Sequence, residues 1–355
     1  MSNYNYNKGE WAELYTFLYA LDKGEIHSAD EHMIKEEQTK YNVVSVFQKD
    51  NEYVRDTENN QIIHQYEEEE YTYPIKEISS LNNELFDSIK NSTGRSFPIP
   101  LTDEILDKLH ITSLKAGSNL KGDLNLKVHD TYTNTDQLLS FSVKSYIGGN
   151  PTLLNSSTQT TIVFELSKNL TEEQIKEVNA VTSSNKIQAR INAIVAAGSS
   201  LKYYDCPSPT FKRNLQMIDY RLPEILSELY LESYFVRGRK ISNVIEQYIS
   251  KKPNEDKELF SYKITQLLIA SALGMVPDTL WHGIDEATGG YIVVKNDGEV
   301  LCYHLYERNK LSKYLFNHTS FDTPSSSRYG TGTIYLDPET QKQMFKLNIQ
   351  IRFYN

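Results

Sequence analysis

Apolar residues recur at three- and four-residue spacing near the start of the chain. Trp11, Leu14, Leu18 and Leu21 form such a stripe and predict an amphipathic helix over 10–21, closed by Gly24. Residues 41–48 and 61–66 read as strands. Residues 81–90 and 102–109 read as short helices, the second capped by Thr102. The period then changes to two. Leu124, Leu126 and Val128 share one face of a strand over 124–129, and 140–146 alternates likewise. Thr, Asn and Asp fill 130–136 between them and turn the chain back. Gly148-Gly149-Asn150-Pro151 ends this hairpin-like unit, and a third strand is predicted over 160–166.

A helical stretch follows. It begins with 171–178, which opens on a Thr-x-x-Gln capping pattern, and continues with 186–197, 222–234, 241–249 and 259–273. From Gly289 the pattern returns to β. Residues 291–295 and 300–306 flank Asn296-Asp297-Gly298, a strong hairpin signal, and 333–336 with 345–353 suggest a second pair. The order of elements predicts an α/β fold, a mixed central β-sheet flanked by helices. At 355 residues the chain can hold one large domain or two modest ones, and the pattern divides it into 1–200 and a more helical, hairpin-rich 201–355.

Composition adds few restrictions. Hydrophobic residues at 39% and charged residues at 24% fit a folded protein with a sizeable core. The opening MSNYNYNKGE lacks the apolar run of a signal peptide, and no apolar run approaches the ~18 residues that span a bilayer, so a cytoplasmic protein without membrane contact is expected. Cys206 and Cys302 stand far apart and form no C-x-x-C. Two buried thiols are expected, with no zinc site and no disulfide. The eight histidines form no metal-binding spacing. His304 reads as structural, and the ALGMVP segment with Trp281 reads as core packing.

The net charge of −10 argues against a polyanionic partner until its distribution is considered. Residues 1–90 hold 8 Lys/Arg and 19 Asp/Glu, whereas 91–355 hold 29 and 28. The acidity sits in one segment that includes Glu67 to Glu70, a solvated face, which leaves room for a locally positive cleft elsewhere.

Two constellations carry candidate chemistry. Gly122-Asp123 is followed, after eighteen residues, by Ser142-Val143-Lys144. Hydrolysis of a phosphodiester needs a divalent cation to stabilise charge and activate water. Mg²⁺ prefers oxygen ligands and keeps several waters, so few carboxylates suffice. Asp123 at the start of one strand can be such a ligand. Lys144 on the next strand can orient the attacking water. The spacing is also met by a surface Asp and a surface Lys on an ordinary hairpin. The second constellation is Lys8-Gly9-x-x-x-Glu13 at the opening of the first helix. Glu13 shares the apolar side with Phe17 and needs a metal or a cation as partner. A rim glutamate paired with a lysine satisfies the same pattern.

Taken together, NKGEWAELYTFLYAL (7–21), FSVKSYIGGNPTLLNSS (141–157), ALGMVPDTLWHG (272–283), GGYIVVKNDGEVLCYHLYERN (289–309) and KLNIQIRF (346–353) resemble the HpaII family of type II restriction endonucleases, within the D…(D/E)xK nucleases. The resemblance covers nearly the whole chain. It implies a restriction-endonuclease-like sheet with a nuclease core in 1–200 and a DNA-facing α+β region in 201–355. It further implies Mg²⁺-dependent cleavage of double-stranded DNA, within CCGG, to give 5′-phosphate ends. A cognate cytosine methyltransferase would be the genetic partner, and a homodimer is possible. Catalysis would fall to Asp123, Ser142, Lys144 and Glu13. One position departs from the family pattern: Ser142 stands where an acid is usual. Glu13 is the expected replacement ligand beside Asp123, with Glu165 as the fallback. A DNA-binding protein with an inactive site and a repair nuclease are the rival readings.

Specific binding also needs phosphate contacts and guanine-reading cations. Arg213 in Phe211–Asn214, ahead of a helix, is one candidate. Arg237, Arg239 and Lys240, joining two helices around Gly238, are others, and Arg328 in the loop 325–330 is a further one. Asn155 and Ser156, after the catalytic strand, are candidate phosphate contacts. Each of these segments also reads as an ordinary solvated loop.

Overall fold

The computed structural model describes residues 4–49, 51–111, 122–131, 133–324 and 330–354. Along the chain the elements are α1 (Lys8–Lys23), β1 (Glu25–Ala29), β2 (Lys35–Gln48), β3 (Asn51–Asp56), β4 (Gln61–Tyr66), β5 (Glu69–Pro74), α2 (Ile75–Asn91), α3 (Leu101–Lys108), β6 (Leu124–Asp130) and β7 (Thr135–Ser145). There follow β8 (Thr152–Leu154), β9 (Thr161–Leu166), α4 (Glu172–Ala180), α5 (Lys186–Ala196), β10 (Leu201–Asp205), α6 (Pro209–Ile218), α7 (Leu222–Ser233), α8 (Ile241–Ser250) and α9 (Lys257–Leu273). The last are β11 (Gly290–Val294), β12 (Val300–His304), α10 (Arg308–His318), β13 (Thr319–Asp322), β14 (Ile334–Leu336), β15 (Gln343–Asn348) and β16 (Gln350–Phe353).

The fold is mixed α/β, as the pattern predicts, and forms two compact units. The first comprises 1–151, 272–274 and 285–314, and the second the remainder. The boundary expected at residue 200 falls inside the second unit, and β11 and β12 return to the first.

The sheet of the first unit runs β1-β12-β11-β7-β6-β2-β3-β4-β5, and β1 also pairs with β2. Six strands therefore close into a ring, which the pattern did not suggest. Closure is possible because β2 is fourteen residues long: its first half pairs with β1 and its second half with β3, while β6 occupies the opposite edge. The β1–β12 and β7–β11 pairs are parallel and the rest antiparallel. Leu124, Leu126 and Val128 do share a face, and they pack with Phe141, Val143 and the α1 residues Trp11, Leu14 and Leu18 in one core. Glu67 and Glu68 form the tight turn between β4 and β5, both at positive φ and exposed, as a solvated acidic segment should be.

The second unit holds a four-stranded sheet, β10-β9-β15-β14, and a three-stranded one, β13-β16-β8. The single strand expected over 345–353 is two strands, broken at Ile349 and shared between these sheets. Tyr230 ties the end of β15 to the end of β13, its hydroxyl lying 2.8 Å from the Asp322 carbonyl and 2.7 Å from that of Asn348. Thr171 caps α4 with the predicted capping box.

Three local expectations need correction. Thr102 does not cap α3; it is buried, and its hydroxyl donates to the Ile99 carbonyl at 2.6 Å. Phe211–Asn214 lies inside α6, started by Ser208 and Pro209, and does not precede a helix. Trp281 is only half-buried, held by a 3.0 Å bond from its ring N–H to the Ile284 carbonyl. Both cysteines are free and buried, as expected. Among the described residues no helix is long and apolar enough to cross a membrane.

Candidate active site

Helix α1 brings the first carboxylate. Asn7 caps it, accepting from the Gly9 and Glu10 amides at 2.8 and 3.1 Å, while the Glu10 carboxylate accepts from the Asn7 amide at 2.9 Å. Gly24 ends it in a left-handed conformation with φ 65°. With both ends fixed, Leu14, Phe17, Leu18 and Leu21 are buried, and Glu13 lies on the partly buried margin of that stripe.

Asp123 precedes β6, and Ser142 and Lys144 point to one face of β7. One carboxylate oxygen of Asp123 accepts from the Val143 amide at 2.8 Å and from the Ser142 hydroxyl at 3.2 Å. Ser142, two residues before the lysine, therefore holds Asp123 in place. Gly122 makes this approach possible: a Cβ there would lie 2.1 Å from the Ser140 hydroxyl and 2.9 Å from the Phe141 carbonyl. Burial pushes the Glu13 carboxyl up to about 8. The charge of Asp123 adds to this and the Lys144 ammonium opposes it. Glu13, Asp123 and Lys144 thus sense one another electrostatically.

This donor set suits a hard cation. Two carboxylates of like charge, one of them partly desolvated, are relieved by a divalent ion that takes oxygen ligands and completes its shell with water and a substrate phosphate. Among the described residues no group of three or more His, Cys, Asp or Glu is arranged to hold a metal.

The other predicted residues are placed elsewhere. Glu165 lies on β9 in the second unit, where Lys342 pairs with it at 3.0 Å. Arg213 is exposed on α6 and donates to the Trp281 carbonyl at 3.0 Å. Arg239 is fixed by Ser233 at 2.7 Å and by Thr323, with its guanidinium 4.1 Å from the Tyr234 ring centre. Lys240 lies 4.3 Å over the Tyr354 ring. Arg237 is exposed, as is Asn155, and Ser156 is half-buried, the latter two between β8 and β9. Arg328 lies outside the described residues. His304 is structural, stacked 4.7 Å from Tyr41 and tilted against Tyr306 at 4.3 Å, and burial holds its pKa down at about 4.

Sequence reading missed two contributors. The Val143 amide, which fixes Asp123, has no signature in a sequence. Tyr291, which faces Ser142 in the β7–β11 register, is buried, and burial, followed by Tyr146 and then the Asp123 charge, raises its hydroxyl well above the usual range. The apolar run at 290–294 signals that strand but not the register that brings Tyr291 there.

The family described as HpaII restriction endonuclease matches residues 7–353. The chain belongs to that family. It is also 37% identical, over 98% of both chains, to the type II restriction enzyme HpaII of Haemophilus parainfluenzae. No solved structure matches the chain. As a member of the HpaII family the protein is a site-specific deoxyribonuclease. The resemblance drawn from 7–21, 141–157, 272–283, 289–309 and 346–353 is borne out across the chain.

Proposed function

We propose that this protein is the nuclease of a restriction–modification system, cutting double-stranded DNA at CCGG with Mg²⁺ and leaving 5′-phosphate ends. What supports the reading is the fixing of Asp123 by the Ser142 hydroxyl and the Val143 amide, together with a Glu13 carboxyl that responds to the charges of Asp123 and Lys144. Asp123 and Glu13 would hold the ion, which supplies charge neutralisation at the scissile phosphate. Lys144 orients the attacking water and stabilises developing negative charge on the phosphoryl oxygens. Ser142 and the Val143 amide keep the Asp123 carboxylate aimed while the reaction proceeds. In this reading the ring-forming sheet with α1 is the restriction-endonuclease-like core. Arg213, Arg237, Lys240, Asn155 and Ser156 supply contacts to the duplex. A cytosine methyltransferase protects the host's own sites, and two copies act on the two-fold symmetric target.

The test is digestion of phage DNA with and without Mg²⁺, followed by sequencing of the ends. Cleavage confined to CCGG with 5′-phosphates supports the reading. Binding without cutting under all metals would instead favour a DNA-binding protein with an inactive site, for which Ser142 in place of an acid is the relevant feature.

A further inference from the structure

The second unit contains a cavity of about 740 Å³ between the start of α5 and the connector that joins α7 to α8. Its wall includes Asn185, Lys186 and Gln188 on one side and Arg237, Gly238 and Arg239 on the other. None of its described lining residues is acidic, in a chain whose net charge is −10. Three cations around an open cavity repel one another, which is unfavourable unless an anion enters.

The three cations differ in their freedom. Arg239 is committed: Ser233 and Thr323 accept from its guanidinium, and the Tyr234 and Tyr230 rings lie under it at 4.1 and 5.4 Å. Both Gly238 (φ 73°) and Arg239 (φ 54°) are left-handed, so the connector is a fixed, sharply bent shelf. Arg237 and Lys186, by contrast, make no ion pair among the described residues, and Arg237 is exposed. A Cβ on Gly238 would meet nothing within 4 Å, so the shelf leaves room for another backbone to come close. A rigid platform, one free guanidinium, one free ammonium and two carboxamides facing a cavity form the chemistry that reads a G·C edge beside a phosphate: Arg pairs with guanine O6 and N7, and an amide oxygen accepts from cytosine N4.

We propose that the target duplex docks across the mouth of this cavity, with Arg237 reading a guanine in the major groove, Lys186 contacting a phosphate, and Arg239 acting as a positioning residue for Arg237. The inference rests on the reading of the protein as a DNA nuclease with a G·C target and names the surface that recognises it.

The experiment compares the full-length protein with Arg237→Ala, Lys186→Ala and Arg239→Ala. Anisotropy in Ca²⁺ at several salt concentrations gives affinity for a CCGG duplex and for an unrelated duplex, and plasmid cleavage in Mg²⁺ gives activity. Arg237→Ala should lose at least tenfold in affinity for CCGG with non-specific binding little changed. Lys186→Ala should weaken both and lower the salt slope by about one. Replacing the target guanines by 7-deazaguanine should weaken the unaltered protein but add no loss to Arg237→Ala. Arg239→Lys should restore less than half of what Arg239→Ala loses in the CCGG preference, because a point charge cannot reproduce the Ser233 and Thr323 bonds. If the unaltered protein cuts at a specific site while Arg237→Ala and Lys186→Ala match it in affinity, salt slope and 7-deazaguanine sensitivity, the cavity is not the recognition surface. If the unaltered protein cuts no DNA specifically, the nuclease reading itself fails.

Discussion

Replacing Glu13 with Gln separates the two properties that the structure combines in one side chain. In the metal-free protein its carboxyl is pushed from 4.5 up to about 8, chiefly by burial and then by Asp123. The folded state therefore holds this proton more tightly than the unfolded chain does. Stability from this group is fully present below pH 4.5 and is lost as pH rises to about 8. The full shift would correspond to about 5 kcal/mol at ~1.36 kcal/mol per unit. Partial exposure of the side chain screens it to roughly 2–3 kcal/mol. Gln mimics the protonated form at every pH, so Glu13→Gln should melt higher than the natural protein in EDTA at pH 9, by about 5–10 °C for a unit of this size, and equally at pH 5. Mg²⁺-dependent cleavage should show the opposite response: the same variant should need much more Mg²⁺, since one of two carboxylates is gone. Thermal unfolding at pH 5, 7 and 9 with a parallel Mg²⁺ titration of cleavage measures both. An identical pH dependence of melting in the two proteins, or an unchanged Mg²⁺ requirement, would refute the placement of Glu13 beside Asp123.

Lys144→Ala should cut at under a tenth of the natural rate, a barrier change above ~1.4 kcal/mol, while binding CCGG nearly as well; single-turnover kinetics and anisotropy check this. Ca²⁺ should support binding without cleavage because its looser coordination misplaces the water, and efficient cutting in Ca²⁺ alone would contradict the scheme. Gly122→Ala should destabilise the protein by roughly 1–3 kcal/mol and lower cleavage, since its Cβ would fall 2.1 Å from the Ser140 hydroxyl; denaturant unfolding gives the first and an endpoint digest the second. A C5-methyl on either cytosine of CCGG should slow cleavage, by about 1–3 kcal/mol for each base pair whose edge the protein can no longer read, and equal rates on methylated and unmethylated duplexes would show that cytosine edges are not read.

The parts of the fold written in local signals were legible. Helix α1 follows from its apolar spacing and caps, and the β6–β7 hairpin from alternation and a polar turn, which is why Asp123, Ser142 and Lys144 could be placed on adjacent strands. Closure of the ring was not legible. It depends on β1, five residues long, pairing with β12 some 270 positions later, and no local period encodes that. Helix α6 was missed because its start, Ser208-Pro209, looks like a turn and its apolar positions are few. In the candidate site the residue types pointed to metal chemistry, but the source of the Glu13 perturbation lies in burial and in a neighbour 110 positions away. The arginines show the same division. Arg237 and Arg239 are two residues apart and indistinguishable in sequence; Ser233, Thr323 and two tyrosine rings hold Arg239 and not Arg237 among the described residues.

Ring closure has a consequence for the far end of the sheet. Because β1 is paired on both sides, β5 is, among the described residues, the strand of this sheet that pairs on one side alone. Such a strand offers unmatched amides and carbonyls to any passing chain. Here it begins with Glu69 and Glu70, follows a turn made of Glu67 and Glu68, and ends in Pro74. A second copy approaching edge to edge would bring eight like charges together and meet a residue with no amide to donate. The acidic segment that seemed at odds with a nucleic-acid enzyme is thus placed to oppose edge-to-edge pairing of two copies, and neutralising those four glutamates should cost solubility before it affects cleavage.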